Sequence, residues 1–269
     1  MDAKPEKIAS GFGAASGPVF SRRGYLLFCD VKTNRILKWE RGAVTTFRDN
    51  SNGARSLTFD HQGRLLACEA HRVTRTEKDG RITALATGAG EFTPADLVYA
   101  IDGTVYIAES ASGSVLRSTK SGELLTGARE GSGPSGARPN QQGLYIPDVS
   151  RPAGVALAPN QQRLYVADAG RGEIRVYDIA PDGALKNGKS VAGMRENPGG
   201  LKTDESGGLW VARPSGIQHL DASGKILQTI AIPEPPNNCN WGEGFHDLFV
   251  TAGTSVYRVP VKANGTRTY

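Results

Sequence analysis

One phrase recurs along the chain: a turn residue, a short apolar run, a small residue and then a polar one. It appears as Gly24–Asp30 (GYLLFCD), Gly63–Glu69 (GRLLACE), Gly103–Glu109 (GTVYIAE), Gln162–Asp168 (QRLYVAD), Gly207–Arg213 (GGLWVAR) and Phe245–Thr251 (FHDLFVT). Each copy is followed by a stretch in which apolar and polar residues alternate: Ile36–Trp39, Val73–Thr76, Val115–Ser118, Ile174–Tyr177, Ile217–Leu220 and Val256–Val259. A period of two is the signature of a strand with one buried face.

Turn dipeptides are expected to close hairpins after these stretches, at Arg41-Gly42, Asp79-Gly80, Ser121-Gly122, Asp182-Gly183, Ser223-Gly224 and Asn264-Gly265. A further short strand precedes the phrase, as in Arg55–Asp60, Ala95–Ala100 and Ala153–Pro159. Three or four short antiparallel strands per unit, repeated six times at roughly 45 residues, predict an all-β, six-bladed β-propeller spanning residues 1–269 as a single domain. Little chain remains after Val261 for an outermost strand, whereas Glu6–Ser10 precedes the first unit without a blade of its own. The N-terminal strand is therefore expected to complete the last blade and close the ring, which removes two exposed edges. Between the third and fourth units, Arg129–Gly143 reads as a long loop rich in Gly, Ser, Pro and Arg, a candidate cover for the channel mouth.

Composition narrows the function classes. With 38% hydrophobic and 22% charged residues the chain can bury a core, and no apolar run approaches the roughly 20 residues of a membrane span. The net charge of +5 is dispersed without a Lys/Arg run, so no nucleic-acid partner is expected. Three cysteines, Cys29, Cys68 and Cys239, form neither a disulfide framework nor a metal-ligand spacing. Cys29 and Cys68 hold equivalent places in adjacent units, which points to packing. The start, Met1–Lys7, resembles a trimmed mature terminus with an added Met, and on that ground a periplasmic or secreted location is expected.

In a propeller the innermost strands of all blades line one channel, and polar groups converging there make the default binding site. Counting back from the turn residues places Ser16, Arg55, Ala95, Ala153, Gly199 and the Asn237-Asn238 pair at that mouth.

Several phrases make the chain similar to the SMP-30/gluconolactonase/luciferin-regenerating-enzyme-like propellers. They are Ser16–Val19 (SGPV), Leu57–Glu69 (LTFDHQGRLLACE) with Arg72–Arg75 (RVTR), Arg151–Leu157 (RPAGVAL), Leu164–Gly172 (LYVADAGRG) and Asn238–Gly242 (NCNWG). The resemblance implies a six-bladed propeller with one divalent cation in the channel, often Ca²⁺ or Zn²⁺, which polarises a lactone carbonyl for attack by hydroxide. The departures fall on the metal ligands. Where the family places a Glu before Gly-Pro, this chain has Ser16; where it places Asn before the third-blade Asp, it has Ala95, with Asp96 retained. The fourth-blade Asn matches Ala153, and the fifth-blade Asp matches Gly199. Ala and Gly bring no side-chain oxygen, so the family metal site is expected to be absent and no cofactor is expected.

Arg55 stands where the family often has Asn, and Arg213 ends the fifth unit's phrase. Either can bind a carboxylate or oxyanion bidentately, or pair with a nearby acid. The acids Asp30, Glu69, Glu109 and Asp168 have two readings, as braces of turns through backbone N–H groups or as general bases. Asp96, Glu69 and Glu109 are the candidate water-activating carboxylates, and Asp168 and His71 are further candidates at the channel rim; His71 also suits a surface loop. His61, His219 and His246 read as structural, and Trp210 and Trp241 as core. Ser16 lacks a Gly-x-Ser-x-Gly elbow and a partner His, which argues against a nucleophile. Two functions remain open: metal-independent opening of a small lactone or ester, and a non-catalytic module that binds a small molecule such as an anion or serves in interaction.

Overall fold

The computed structural model describes residues 4–88, 92–118, 124–125, 149–194 and 196–266. Within them the chain forms six four-stranded antiparallel sheets. Blade 1 comprises Ala15–Ser21, Tyr25–Asp30, Arg35–Glu40 and Ala43–Arg48; blade 2 comprises Ser56–Phe59, Leu65–Glu69, Arg72–Thr76 and Ile82–Thr87. Blade 3 runs through Pro94–Tyr99, Val105–Glu109, Ser114–Ser118 and Leu124–Leu125, and blade 4 through Pro152–Leu157, Arg163–Asp168, Glu173–Ile179 and Leu185–Gly193. Blade 5 holds Leu201–Thr203, Leu209–Arg213, Gly216–Leu220 and Ile226–Ile230. Blade 6 holds Pro236–Trp241, Asp247–Ala252 and Ser255–Pro260, with Glu6–Ser10 as its outermost strand. The six-bladed propeller and its closure by the N-terminal strand are as the repeat arithmetic predicts. The candidate covering loop, Arg129–Gly143, lies outside the described residues.

Alternation along each strand explains how the ring holds together. Because successive side chains point to opposite faces, every blade offers apolar residues to both neighbours, and six apolar clusters fill the six interfaces. Val19, Leu27 and Cys29 meet Leu57, Leu65 and Ala67 between blades 1 and 2. Leu66 and Cys68 meet Leu97, Tyr99 and Ile107 between blades 2 and 3. The closing interface, between blades 6 and 1, packs Phe249 and Val256 on Ala15, Leu26 and Phe28. Burying one such Leu or Phe stabilises by about 1.5–3 kcal/mol, so the fold rests on these interfaces more than on any single blade. Trp210 and Trp241 are buried core residues, with indole N–H groups donating to Asp204 and to the Thr203 carbonyl.

The outermost strands are the ones least visible in the sequence. Ala43–Arg48 and Ile226–Ile230 are largely exposed, because the perimeter gives them no neighbour to bury against. The Arg41-Gly42 turn does close its hairpin, with φ of 51° and 85°, the pair of positive values a two-residue type I′ connection requires. Asn264-Gly265 does not close one. Blade 6 takes its fourth strand from the N-terminus, so the chain leaves and runs against blade 5, where Gly265 bridges Asp204 and the Thr266 N–H donates to the Thr203 carbonyl. Gly265 also lies so close to Trp241 that a Cβ there would sit 2.0 Å from the indole.

Candidate functional site

The inner strands Ala15–Ser21, Ser56–Phe59, Pro94–Tyr99, Pro152–Leu157, Leu201–Thr203 and Pro236–Trp241 stand side by side around the axis. The residues that repeat spacing assigns to the channel mouth lie at or just before their starts. In three blades the backbone marks the place with a bulge: the pairing register skips at Ala95, at Ala153 and at Asn237. A bulge takes a residue out of the ladder and re-aims it, so these positions differ from ordinary strand residues.

Ser16, Arg55, Asp96, Asn237 and Asn238 are brought together here. The Ser16 hydroxyl donates to the Arg55 carbonyl at 2.8 Å, tying blade 1 to blade 2. Asp96, 1% exposed, accepts from the Ser56 hydroxyl of blade 2, from the Val155 N–H of blade 4 at 3.1 Å, and from Asn238 Nδ2 of blade 6 at 3.5 Å. Blades 3 and 6 are opposite in a six-membered ring, so the Asp96–Asn238 contact spans the channel. Asn237 donates to the Ala15 carbonyl at 2.6 Å and accepts from Thr251 at 2.7 Å, which locks blade 6 to blade 1.

The remaining positions bear on cation binding. Ala95, Ala153 and Gly199 offer no side-chain oxygen. At Gly199 there is also no room for one, since a Cβ would sit 2.4 Å from the Asn237 carbonyl oxygen. Gly200 is equally confined, with its would-be Cβ 1.9 Å from Asn238 Oδ1. The inner strand of blade 6 thus occupies the space that a side chain from blade 5 would need. A hard cation takes about six to eight oxygen ligands with compensating negative charge; the described mouth positions supply one carboxylate, Asp96. No group of three or more His, Cys, Asp or Glu suited to holding a metal occurs among the described residues. The side-chain oxygens at the described mouth positions are those of Ser16, Asp96, Asn237 and Asn238.

The other acids are engaged in the frame. Asp30 accepts from the Gly13 and Ala14 N–H groups, both at 3.0 Å. Burial pushes its carboxyl up, but these bonds outweigh that and hold it below the usual range. Glu109 accepts from the Thr93, Ala111 and Ser112 N–H groups, and Asp168 from those of Ser150, Arg151, Gly170 and Arg171. In each case the acid at the end of the second strand clasps the segment that leads into its own blade's inner strand. Glu69 is fully buried and differs in kind: it accepts from Arg48 of blade 1, from Arg72 at 2.6 Å and from Thr74 at 2.6 Å.

Arg213 is committed as well, donating to Gln218 and lying 3.5 Å from Glu196, rather than standing free for a channel anion. Arg55 differs. Its Nε is buried without a hydrogen-bond partner, and its guanidinium forms no ion pair among the described residues. His71 sits on an exposed turn at φ 59°, with Nδ1 3.2 Å from the Phe92 carbonyl oxygen. A carbonyl only accepts, so this contact places the proton on Nδ1 and leaves Nε2 as the acceptor in neutral His71. His61 lies at the far end of the inner strands, its Nδ1 against the Tyr99 hydroxyl and between two clefts of about 110 and 270 Å³. His219 sits mid-strand beside Asp204 at 3.1 Å, and His246 follows a 3₁₀ turn.

Residues 14–254 match the family model described as the SMP-30/Gluconolactonase/LRE-like region. The chain belongs to this family. Within the family's reach are a gluconolactonase of Zymomonas mobilis, 26% identical over a 295-residue alignment that takes in 97% of this chain and 82% of the relative. A gluconolactonase of Xanthomonas campestris superimposes with a TM-score of 0.82 at 26% identity, covering 96% of this chain and 90% of the other. Regucalcin of Agrobacterium tumefaciens, described as a calcium-binding protein, shares the fold at a TM-score of 0.82 and 13% identity, over 99% and 96% of the two chains. Among SMP-30/gluconolactonase-like propellers, this chain therefore keeps the scaffold while its mouth carries Ser16, Arg55, Ala95, Ala153 and Gly199.

One charged residue of the inner strands escapes the repeat counting. Lys202 lies on the inner strand of blade 5, 8% exposed, where the equivalent residues of blades 3 and 4 are Val98 and Ala156. A charged residue in the middle of a buried three-residue strand is the sequence signal that would have found it.

Proposed function

We propose that this protein takes a small lactone or ester into the mouth of the central channel, and that any ring opening it performs proceeds without a resident divalent cation. The observation that carries this reading is the exchange at the mouth: three positions that match the family's ligands have no side-chain oxygen, Gly199 has no space for one, and Arg55, at the start of the inner strand of blade 2, carries a buried Nε without a hydrogen-bond partner. The likeness to gluconolactonases of Zymomonas mobilis and Xanthomonas campestris supports the lactone as substrate class.

In this reading Arg55 supplies the positive charge that a metal supplies elsewhere, stabilising the oxyanion that forms when water adds to the carbonyl. Asp96 is the carboxylate placed to orient that water. A carboxylate has about four acceptor sites; three are taken by Ser56, Val155 and Asn238, and one on Oδ2 remains. Glu69 and Glu109 contribute to the frame rather than to the reaction, since their oxygens already serve Arg48, Arg72 and Thr74 and a set of backbone N–H groups.

A second reading keeps the same pocket as a binding module without turnover. It is favoured by the hydrogen bonds on Asp96, which a water-activating base would have to share. Metal analysis of the purified protein, with lactone-opening assays in chelator and with added Ca²⁺, Mn²⁺ or Zn²⁺, tests both. We expect no stoichiometric metal and a rate indifferent to these additions. A bound channel metal overturns the metal-free site. A slow opening reaction lost in Arg55→Ala supports the enzyme, and ligand binding with no turnover supports the module.

A further inference from the structure

A charge buried in protein is costly unless it is paired. Lys202 is 8% exposed, yet its ammonium makes a single hydrogen bond, to the Leu201 carbonyl at 3.0 Å. Among the described residues no carboxylate lies within ion-pair distance, and two of its three donors have no partner. Its neighbours show which way it faces. Leu201 packs in the cluster between blades 4 and 5, and the Thr203 hydroxyl donates to the Leu157 carbonyl of blade 4. Alternation then turns Lys202 the other way, toward the inner strand of blade 6, where its charge acts on the Cys239 thiol. Asp96, the carboxylate at the described mouth positions, acts on the same thiol but gives three of its acceptor sites to Ser56, Val155 and Asn238.

We propose that Lys202 is a binding site for a ligand carboxylate in the channel, which selects acidic lactones and their open hydroxy-acid forms over neutral ones. Opening a lactone creates a carboxylate, so the chemistry of the product suits an ammonium with free donors. Arg55 and Lys202 sit on blades 2 and 5, opposite in the ring. Their backbones differ by three inner-strand positions, about 10 Å along the axis, a gap that two long side chains shorten. A chain of five or six carbons with a carboxylate at one end and a lactone carbonyl at the other can engage both cations. The cost of an unpaired buried ammonium is then a requirement of binding and not of folding.

This inference rests on the channel being the ligand site, and the test separates the two. Glucarate, gluconate, inorganic phosphate and neutral glucono-1,5-lactone are titrated calorimetrically into the full chain and into Lys202→Met, Lys202→Gln and Lys202→Arg. We expect glucarate or gluconate to bind, both uncharged variants to weaken it tenfold or more, Lys202→Arg to hold it within a few-fold, and the neutral lactone to be affected less than twofold. We also expect Lys202→Met to raise the melting temperature of the free protein, the opposite of what a structural lysine would do. Carboxylate affinity unchanged within twofold in Lys202→Met and Lys202→Gln overturns the proposal, as does binding of phosphate in preference to both carboxylates. If the neutral lactone binds or is opened while neither carboxylate binds, this proposal fails and the channel reading stands. Binding of none of the four overturns both.

Discussion

Asp96 and Asn238 stand on opposite blades, and their side chains meet across the central channel at 3.5 Å. The same carboxylate accepts from Ser56 on one neighbouring blade and from the Val155 N–H on the other. One side chain thereby joins four of the six inner strands. Asn238 is in turn pressed against Gly200.

Asp96→Ala should therefore weaken the fold as well as the site. It orphans a buried hydroxyl and a buried N–H, a loss of about 2–3 kcal/mol. Urea unfolding should show the midpoint falling with the m-value unchanged.

Gly199→Asp restores the residue type of the family ligand but should not restore cation binding. The new Cβ falls 2.4 Å from the Asn237 carbonyl oxygen, so the backbone of blade 5 or 6 must move. The variant should melt below the parent, and millimolar Ca²⁺ should not raise its melting temperature. A calcium-dependent rise would show that the space can be reopened.

Glu234 fastens the ring where its two ends meet. It accepts from the Thr254 N–H and hydroxyl, the Ser255 hydroxyl and the Tyr257 hydroxyl, and it pairs with Lys7 of the N-terminal strand at 3.1 Å. Burial pushes its carboxyl up, but these donors prevail and hold it down at about 2, against an ordinary 4.5. A depressed folded value means that its contribution is complete above about pH 4.5 and is lost as the pH falls toward 2. Glu234→Gln should lower the melting temperature at pH 7, and the gap from the parent should narrow between pH 4.5 and 2. A gap that is constant across that range would remove the carboxylate from the explanation.

The three thiols should be silent in the native state. Burial pushes Cys29 and Cys68 well up and Cys239 to about 12, and all three are free and buried. An aromatic disulfide reagent should titrate none of them at pH 8 in buffer and three in denaturant. Prompt native reaction of one thiol would point to opening of its blade interface.

Asp168 tests the difference between a brace and a base. Asp168→Asn leaves an amide nitrogen facing some of the four backbone N–H groups that the carboxylate now serves. The variant should lose stability by about 1–3 kcal/mol, with any lactone-opening rate per folded molecule changed less than twofold. A large rate loss with unchanged stability would return Asp168 to the reaction.

The strands, their order and the ring closure were legible in the chain, because each blade repeats the same alternation and the same turn residues at the same spacing. The second strands are plainest, as with Leu65–Glu69, since both faces are buried and the apolar run is continuous. The outer strands and the path of Asn264-Gly265 were not legible, because exposure removes the hydrophobic signal and the last blade borrows its edge from the other terminus. The mouth positions followed from counting, and three of them turn out to be bulges, whose one extra residue leaves no mark in a hydrophobic pattern.

By itself the sequence determined the propeller, the residues at its mouth and the lack of side-chain oxygens at Ala95, Ala153 and Gly199, since these depend on local period and residue type. Only the tertiary structure decided what each polar group does. Glu109 and Asp168 became braces because the N–H groups of the entering segments lie within reach, Arg213 became a tie to Gln218 and Glu196, and Gly199 became a place with no room. Lys202 gained its interest in the same way: its type is visible in the chain, but a shortage of partners is a property of the space around it, assembled from residues distant in sequence.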